Sequence, residues 1–227
     1  MFFARNTNLE RLSLNHTRVA GTAFRSLSLK RLRELDLNYS QMNDTGLVHL
    51  KGLTALETLN LYGTKITGTG FSHLKGLANL QSLWAGKTKF TDMGLVHLAG
   101  FTNLQLLSLA GTQITDVRLV HLRGMTNLQT LHLWDTKVTD TGLAQLKGLT
   151  KLQELSLESL AITDAGLVHL KGLIGLQELK LAGTQITDAG LKHLTGLKNL
   201  REFPLVDTEV TDVGVAELKK ALPDCNI

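Results

Sequence analysis

Leucine recurs along this chain with a period of 24 residues, and polar residues separate the leucines in the same order each time. The spacing shortens to 23 only between the first two units. One column of the repeat reads Leu12, Leu35, Leu59, Leu83, Leu107, Leu131, Leu155, Leu179 and Phe203. Such a period indicates a solenoid, because one unit of this length cannot bury its own apolar face and has to stack on its neighbours.

Each unit predicts a short strand, a turn and a short helix. In the third unit Leu59 and Leu61 alternate with polar residues, as in a strand, and Phe71, Leu74 and Leu77 are spaced for about two helical turns. Strands pair about 4.8 Å apart whereas packed helices need about 10 Å, so the stack has to curve with its strands inside. We therefore expect an α/β fold, a right-handed solenoid with about nine parallel strands on the concave face and short helices on the convex face.

The unbroken period predicts a single domain over residues 1–227. Within it, residues 1–31 form a degenerate first repeat, 32–199 the regular 24-residue repeats, and 200–227 the last repeat with a C-terminal cap. Pro204 falls in the last strand, where it removes an amide from an open sheet edge. At the N-terminal end, the degenerate first repeat is either itself a cap or a sign that the chain is a piece of a longer protein.

The recurring phrase L-x-x-L-x-L-x-x-T-x-I-T-D-x-G-L resembles the leucine-rich-repeat proteins, and it extends from Leu9 to Leu222. It is similar to the cysteine-containing class of these repeats, which includes ribonuclease-inhibitor-like and F-box receptor arrays, and to bacterial arrays of the same class. The resemblance implies a horseshoe with a recognition surface. No F-box sequence is present, so the adaptor role of those receptors does not carry over.

Threonine replaces the cysteine of that class in seven units, at Thr17, Thr64, Thr88, Thr112, Thr136, Thr184 and Thr208. We expect these hydroxyls to satisfy the amides of the adjoining loops when they are buried. Leu160 holds the same position in another unit and has no polar atom to offer, so we expect a local irregularity there.

Two further repeated positions, one aspartate and one histidine, contain residues that could bind a metal, but both are better explained as structural. Thr-Asp pairs begin six helices, from Thr91-Asp92 to Thr211-Asp212, where either side-chain oxygen is expected to cap the helix amides. A histidine recurs at one helical position in six units, but neighbouring helices lie about 10 Å apart and zinc needs its nitrogens about 2.0–2.1 Å from one centre. We expect both columns to be structural, with no metal and no cofactor.

The polar positions beside the strand leucines are expected to face the concave surface, and they hold both tryptophans and both tyrosines of the chain. Exposed Trp and Tyr are enriched at binding hot spots. The candidate partner-binding residues are Tyr39, Asn60, Tyr62, Trp84, Thr130, His132, Trp134, Asp135, Glu154, Glu158 and Glu178. The alternative is that the rings cover a small gap, with Trp84 filling space left where Ala85 replaces a scaffold leucine.

The charges expected on the concave face indicate which kind of partner it would bind. Four polar columns around the strands hold eight acids and three bases, although the protein carries a formal net charge of +4. An acidic concave face suggests a basic protein or peptide as the partner and argues against nucleic acid. The lysines and arginines that give the protein its net positive charge fall on the helices, where we interpret them as a solvent-exposed face without a binding role.

The remaining signals bear on location and assembly. Cys225 is the one cysteine, which excludes an internal disulfide and fits a reducing compartment. The first residues, Met1–Arg5, lack the apolar run of a signal peptide, and no stretch is long enough for a membrane helix. We expect a cytoplasmic protein without membrane partners, monomeric or weakly self-associated through its uncapped N-terminal end.

Three functions remain open. The first is a non-enzymatic scaffold that binds a protein or peptide on its concave face. The second is a structural or designed consensus-like array without a ligand, favoured by near-identical units at 109–116 and 181–188, and the third is the truncated recognition part of a larger ligase or effector. An enzyme is not expected, because there is no phosphate loop or G-x-S-x-G motif, and Asp36, Ser108 and His132 lie on strands too far apart for a proton relay.

Overall fold

The computed structural model describes residues 8–25, 27 and 29–227 of the chain, so the expectation about Met1–Arg5 concerns residues outside this description. The chain forms one parallel sheet in which every strand pairs with the next along the sequence. The strands are β1 (Arg11–Ser13), β2 (Glu34–Asp36), β3 (Thr58–Asn60), β4 (Ser82–Trp84), β5 (Leu106–Ser108), β6 (Thr130–His132), β7 (Glu154–Ser156) and β8 (Glu178–Lys180). Equivalent leucines pair across the sheet, Leu59 with Leu83 and Leu83 with Leu107, which confirms the predicted α/β horseshoe.

The described chain has eight strands where about nine were expected. At the ninth position only Glu202 pairs, through isolated bridges to Glu178 and to Asn226. The C-terminal segment covers this edge, since the Phe203 amide donates to the Asn226 carbonyl at 2.8 Å and the Asn226 amide donates to Arg201 at 2.6 Å. Pro204, which has no amide to donate, limits the ninth strand, and the chain's own tail occupies the edge beside it.

Short helices return the chain on the other side of the sheet. The α-helices are α1 (Asp44–Leu47), α2 (Asp92–Leu98), α3 (Asp140–Leu143), α4 (Asp164–Leu167), α5 (Asp188–Leu191) and α6 (Asp212–Ala221), and 3-10 helices span Gly21–Phe24, Val48–Leu50, Thr69–His73, Asp116–Leu122 and Ala144–Leu146. Between the two layers the repeat leucines form one continuous core in which most side chains are fully buried. Each buried leucine contributes about 1.5–3 kcal/mol relative to an exposed one, so the column stabilises the stack as a whole.

Five of the six Thr-Asp aspartates, and Asp44 at the equivalent position after Asn43, bond to the next unit and not to their own helix, so that part of the capping expectation is wrong. Asp140 accepts the backbone amide of Thr163 at 2.9 Å and its hydroxyl at 2.6 Å. The same clamp joins Asp44 to Thr67, Asp92 to Thr115, Asp116 to Thr139, Asp164 to Thr187 and Asp188 to Thr211. The carboxylate satisfies an amide and a hydroxyl that only a stacked neighbour presents, and it therefore couples successive units.

The threonine of the pair does cap its own helix in several units. The Thr163 hydroxyl accepts the amide of Ala165 at 3.3 Å, and the caps before α5, α6 and the 3-10 helix at Asp116 are of the same kind. Thr91 and Thr139 begin their helices without such a bond. The hydroxyl is thus donor to one unit and acceptor within the next, which accounts for threonine at this position.

The glycine of the I-T-D-x-G phrase leaves room for this clamp. A Cβ atom added to Gly142 would lie 2.3 Å from Oδ1 of Asp116, and one on Gly166 would lie 2.3 Å from Oδ1 of Asp140. Such distances are far inside van der Waals contact. At these two positions the carboxylate of the preceding unit occupies the space of a side chain, whereas Arg118 is accommodated at the equivalent position of a unit whose helix is 3-10.

The threonine that replaces the class cysteine acts mainly as a donor, and the expected role as an amide acceptor is confirmed only at Thr17 and Thr88, which accept the amides of Val19 and Phe90 at 3.3 Å. All seven hydroxyls donate to the carbonyl three residues earlier, at 2.5 to 2.8 Å. The expected irregularity at Leu160 is absent from the described backbone. Ser159 keeps the left-handed φ of its column, at 58°, and its amide donates to Ala182 at 2.9 Å, so cross-unit bonds hold the loop without the hydroxyl.

We predict that Gly142→Ala destabilises the fold by about 1–3 kcal/mol, because the new methyl group displaces the Asp116 carboxylate. Gly148→Ala is the matched control, since a Cβ there meets nothing within 4 Å. It is expected to change the stability by less than about 1 kcal/mol. Urea unfolding of the two variants measures the difference, and equal midpoints would show that the glycine is not needed for the clamp.

The Asp188 clamp predicts a pH dependence of stability. Hydrogen bonds from the hydroxyl and amide of Thr211 lower the pKa of Asp188 below its ordinary value. Its contribution is therefore present above the unfolded pKa of about 3.9 and is lost as the pH falls through the folded pKa. Urea midpoints of the wild type and Asp188→Asn should differ at pH 7 and converge on acidification, whereas Asp212→Asn, in the same column of the last unit, should show no such gap.

Candidate functional site

The residues that flank the strand leucines form the concave face, and their side chains stay out of the core. Over β1 to β4 this face contains a groove of about 530 Å³. Its lining includes Arg11, Ser13, Glu34, Asp36, Asn60 and Trp84. The groove exists because residues 13, 36 and 60 are short, while Trp84 on β4 rises as a wall on its C-terminal side.

Trp84 also contacts a second candidate residue. In the sheet register Trp84 stands beside Ser108, and Ser108 beside His132. The two rings meet over the serine with centroids 5.7 Å apart and an interplanar angle of 60°. Ser108 is thereby buried, 2% exposed. The alternation of large and small residues on successive strands produces this contact.

The acids on β7 and β8 are neutralised from within the concave face. Nζ of Lys180 lies 2.9 Å from a carboxylate oxygen of Glu154 and 2.9 Å from one of Glu178, and Nε2 of His132 lies 3.1 Å from Glu154. Burial alone would raise the pKa of Glu154, but the bonds and charges of Lys180 and His132 together hold it below its usual value. Burial likewise opposes the charge of Lys180, and its two carboxylate partners keep its pKa raised.

A second row of aromatic rings lies on the loops that follow the first strands. His16 and Tyr39 stack with centroids 4.8 Å apart, and Tyr39 meets Tyr62 edge-on at 5.6 Å. Tyr39 is 49% exposed and has a left-handed φ of 51°. Its ring packs over Gly63, where an added Cβ would lie 2.6 Å from the ring, so the absence of a side chain at Gly63 leaves space for the tyrosine.

The loop position that holds Tyr39 is left-handed in every unit. Its members are His16, Tyr39, Gly63, Lys87, Gly111, Asp135, Ser159, Gly183 and Asp207. A bulky side chain with positive φ costs of order 1–3 kcal/mol, so its presence has to be offset by other interactions. Tyr39 gains the ring contacts on both sides. Tyr62 is partly buried against it, and burial followed by the neighbouring Tyr39 raises the pKa of Tyr62.

Trp134 and Asp135 form a separate group around a lysine. Nζ of Lys87 lies 4.8 Å from the centre of the Trp134 ring, within the range of a cation–π contact, and 3.7 Å from Asp135. The Lys87 side chain reaches them across Gly111, where a Cβ would lie 2.9 Å from it. This lysine was counted as a base of the face but was not among the candidate site residues.

The candidate residues therefore share the concave side but do not form one cluster. Tyr39 and Tyr62 lie on the loop row, Trp84 and Asn60 at the groove, His132 with Glu154 and Glu178 in the charged network, and Trp134 with Asp135 beside Lys87. Glu158 accepts a bond from the Ser156 hydroxyl, and Thr130 lies half-buried on β6. Asp36 and Lys180 complete the groove and the network, and the alternation of polar and apolar residues on their strands was the signal that could have included them.

No helix within residues 8–25, 27 and 29–227 is long and apolar enough to cross a membrane. In the same ranges no three His, Cys, Asp or Glu side chains come together as a metal-binding group.

The in-register sheet and its clamped helices define a solenoid repeat protein, and comparison with known proteins specifies which kind. A model of two leucine-rich-repeat copies matches residues 102–144, and a leucine-rich-repeat model matches residues 30–50 and 176–194. None of the curated proteins matches the chain significantly.

Solved structures extend the match over most of the chain. Internalin C2 of Listeria monocytogenes is 33% identical over 87% of this chain and 80% of its own, with a TM-score of 0.74. A leucine-rich-repeat protein of Leptospira interrogans is 23% identical over 99% and 62%, with a TM-score of 0.71. The plant peptide hormone receptor RGFR1, solved in complex with RGF2, is 21% identical over 92% and 38%, with a TM-score of 0.58. The chain belongs to the leucine-rich-repeat family, whereas its place in the cysteine-containing class stays a prediction.

The charged network predicts how Glu154 responds to loss of its lysine. In Lys180→Met the carboxylate loses its strongest neutralising partner, while burial and the neighbouring Glu178 remain, so the pKa of Glu154 should rise. Titration of the Glu154 side-chain carboxyl by NMR measures the shift. Lys87→Met is the control, because that amine pairs with Asp135 and should leave the pKa of Glu154 unchanged; equal titration in both variants would contradict the network.

Proposed function

We propose that this protein is a non-enzymatic scaffold that binds a protein or peptide segment on its concave face. The observation that carries the proposal is the groove of about 530 Å³ beside half-buried Trp84, on a face that the fold does not use for packing. Aromatic side chains that are partly exposed in a concavity supply contact area at little entropic cost. The leucine-rich-repeat family, and the similar fold of a plant receptor solved in complex with RGF2, support a binding role.

The proposed contact surface follows the strands from β2 to β8. Tyr39, Asn60, Tyr62 and Trp84 would form its N-terminal part, and the C-terminal part would comprise Thr130, His132, Trp134, Asp135, Glu154, Glu158 and Glu178. Adjacent strands lie about 4.8 Å apart, so the six intervals span about 29 Å. An extended segment rises about 3.3 Å per residue, and about nine residues would cross the surface.

Finer features of the partner are part of the same proposal. A basic segment fits the excess of acids on this face, although Lys180 and Lys87 already neutralise some of them. We propose a cytoplasmic location, which the single cysteine favours. The protein would be monomeric, or weakly self-associated through the N-terminal end of the sheet, and would not bind nucleic acid in the concavity.

The second candidate is a structural or consensus-like array without a ligand. The observation in its favour is that two units share the sequence Leu-Ala-Gly-Thr-Gln-Ile-Thr-Asp, at 109–116 and at 181–188. In those units the loop positions 110, 111, 182 and 183 hold only alanine and glycine, which offer little for recognition. A recognition segment of a larger ligase or effector would use the same face as the first candidate.

Selection from a phage-displayed library of random dodecapeptides tests the binding role. The immobilised wild type should enrich a peptide family, and Trp84→Ala with Trp134→Ala should weaken those peptides at least about tenfold, since hot-spot aromatics contribute 2 kcal/mol or more. The control is Val117→Ala with Val213→Ala, both exposed on the helix side. No enrichment by the wild type would favour the array without a ligand, and unchanged affinity in a folded Trp double variant would reject the proposed surface.

A further inference from the structure

The charges in the N-terminal groove do not balance. Its lining contains one base, Arg11, and two acids, Glu34 and Asp36. Arg11 is occupied by Glu34, with Nε 3.1 Å from a carboxylate oxygen. Asp36 takes part in no ion pair within the described chain. One negative charge therefore remains at the floor of the groove.

Asp36 is held in place by neutral donors. Its Oδ1 accepts the backbone amide of Asn38 at 3.0 Å, which fixes the side-chain direction. Its Oδ2 accepts only long contacts of 3.3 to 3.4 Å, from the side chains of Ser13, Asn15 and Asn38. Bonds of this length are weak, so Oδ2 remains available to a charged donor, which bonds to carboxylates at about 2.7–2.9 Å.

The opposite wall of the groove suits the remainder of a basic side chain. Trp84 lies two strands from Asp36, about 10 Å along the sheet, with the short Asn60 between them. A lysine or arginine of the partner would rest its methylene stem against the indole and place its head at Asp36. Arginine fits best, because its planar guanidinium can bond to both oxygens of a carboxylate while its methylene stem packs on the indole.

Two acids in the C-terminal half of the same face are already paired, and a third, Glu158, is in no ion pair within the described chain but accepts a bond from the Ser156 hydroxyl. Glu154 and Glu178 share Lys180, and Glu154 is bonded to His132 as well. A cation arriving there would compete with partners already in contact, whereas at Asp36 it would meet none. The distribution of internal ion pairs, together with the groove that Asp36 shares with Trp84, favours the N-terminal position; Glu158 does not line this groove.

We propose that the groove between Asp36 and Trp84 is the subsite for a basic side chain, preferably arginine, of the bound segment. The inference rests on the proposed binding function, and it assigns the part of the surface that recognises a positive charge on the bound segment. Asp36 would supply the counter-charge and Trp84 the stacking wall.

Fluorescence of Trp84 tests the subsite directly. The chain has two tryptophans, so Trp134→Phe leaves Trp84 as the only reporter. In this background the probe is the blocked tripeptide acetyl-Gly-Arg-Gly-amide, titrated at low salt to about 50 mM, with the citrulline tripeptide as its neutral isostere. We expect a saturable, salt-sensitive change with the arginine probe and at least about a fivefold weaker response with citrulline.

Asp36→Asn supplies the decisive variant. Asn60 already occupies the equivalent position of the next unit, and its Oδ1 accepts the Tyr62 amide at 3.0 Å, so asparagine should preserve the fold here. Asp36→Asn should weaken the arginine probe at least about fivefold. Asp207→Asn makes the same charge change at the far end of the array and should not alter binding. Unfolding midpoints confirm that each variant is folded.

No saturable signal with arginine, equal binding of citrulline, or an unchanged response in Asp36→Asn would each overturn the subsite. These outcomes are separable from failure of the binding function, because the peptide selection with the wild type imposes no requirement for a basic residue. Enriched peptides without a basic residue would leave the function standing and argue against this subsite. A positive arginine titration without any enriched peptide would support the subsite and argue against the proposed peptide-binding function.

Discussion

The clamp between the aspartate at a helix start and the threonine of the following unit is the constraint on which much of the array depends. Asp140 binds both the amide and the hydroxyl of Thr163, and the same bonds recur through six pairs. Since each bond joins positions 23 apart, the units that it joins present their helices at the same height. The leucines then stack in register, and glycine leaves room for the carboxylate at Gly142 and Gly166.

The fixed register turns each polar column into a row on the concave face. Whether neighbours in a row cooperate depends on their sizes and charges. Trp84 and His132 touch because Ser108 between them is small, and Glu154 is neutralised because Lys180 falls on the adjacent strand. Asp36 has no such neighbour. The same scaffold thus gives one half of the face a closed charge network and the other half an open groove.

The loop row shows the same dependence on neighbours. Each unit places one residue in the left-handed region, where glycine costs least. Tyr39 takes that conformation because Gly63 in the next unit leaves space for its ring, and Lys87 does so over Gly111. A glycine in one unit therefore leaves space for a large side chain of the preceding unit. This arrangement places aromatic side chains along the edge of the groove.

The sequence by itself determined the horseshoe, its strand columns, the buried leucines and the faces on which the tryptophans and tyrosines lie, because a 24-residue period repeats local patterns that need no knowledge of distant contacts. It did not show that the aspartates bond across units, that Asn226 covers the last edge, or which acids are already paired. Those depend on side-chain distances between residues more than 20 positions apart. Only the tertiary structure brings Lys180 to Glu154 and leaves Asp36 facing Trp84 across an open groove.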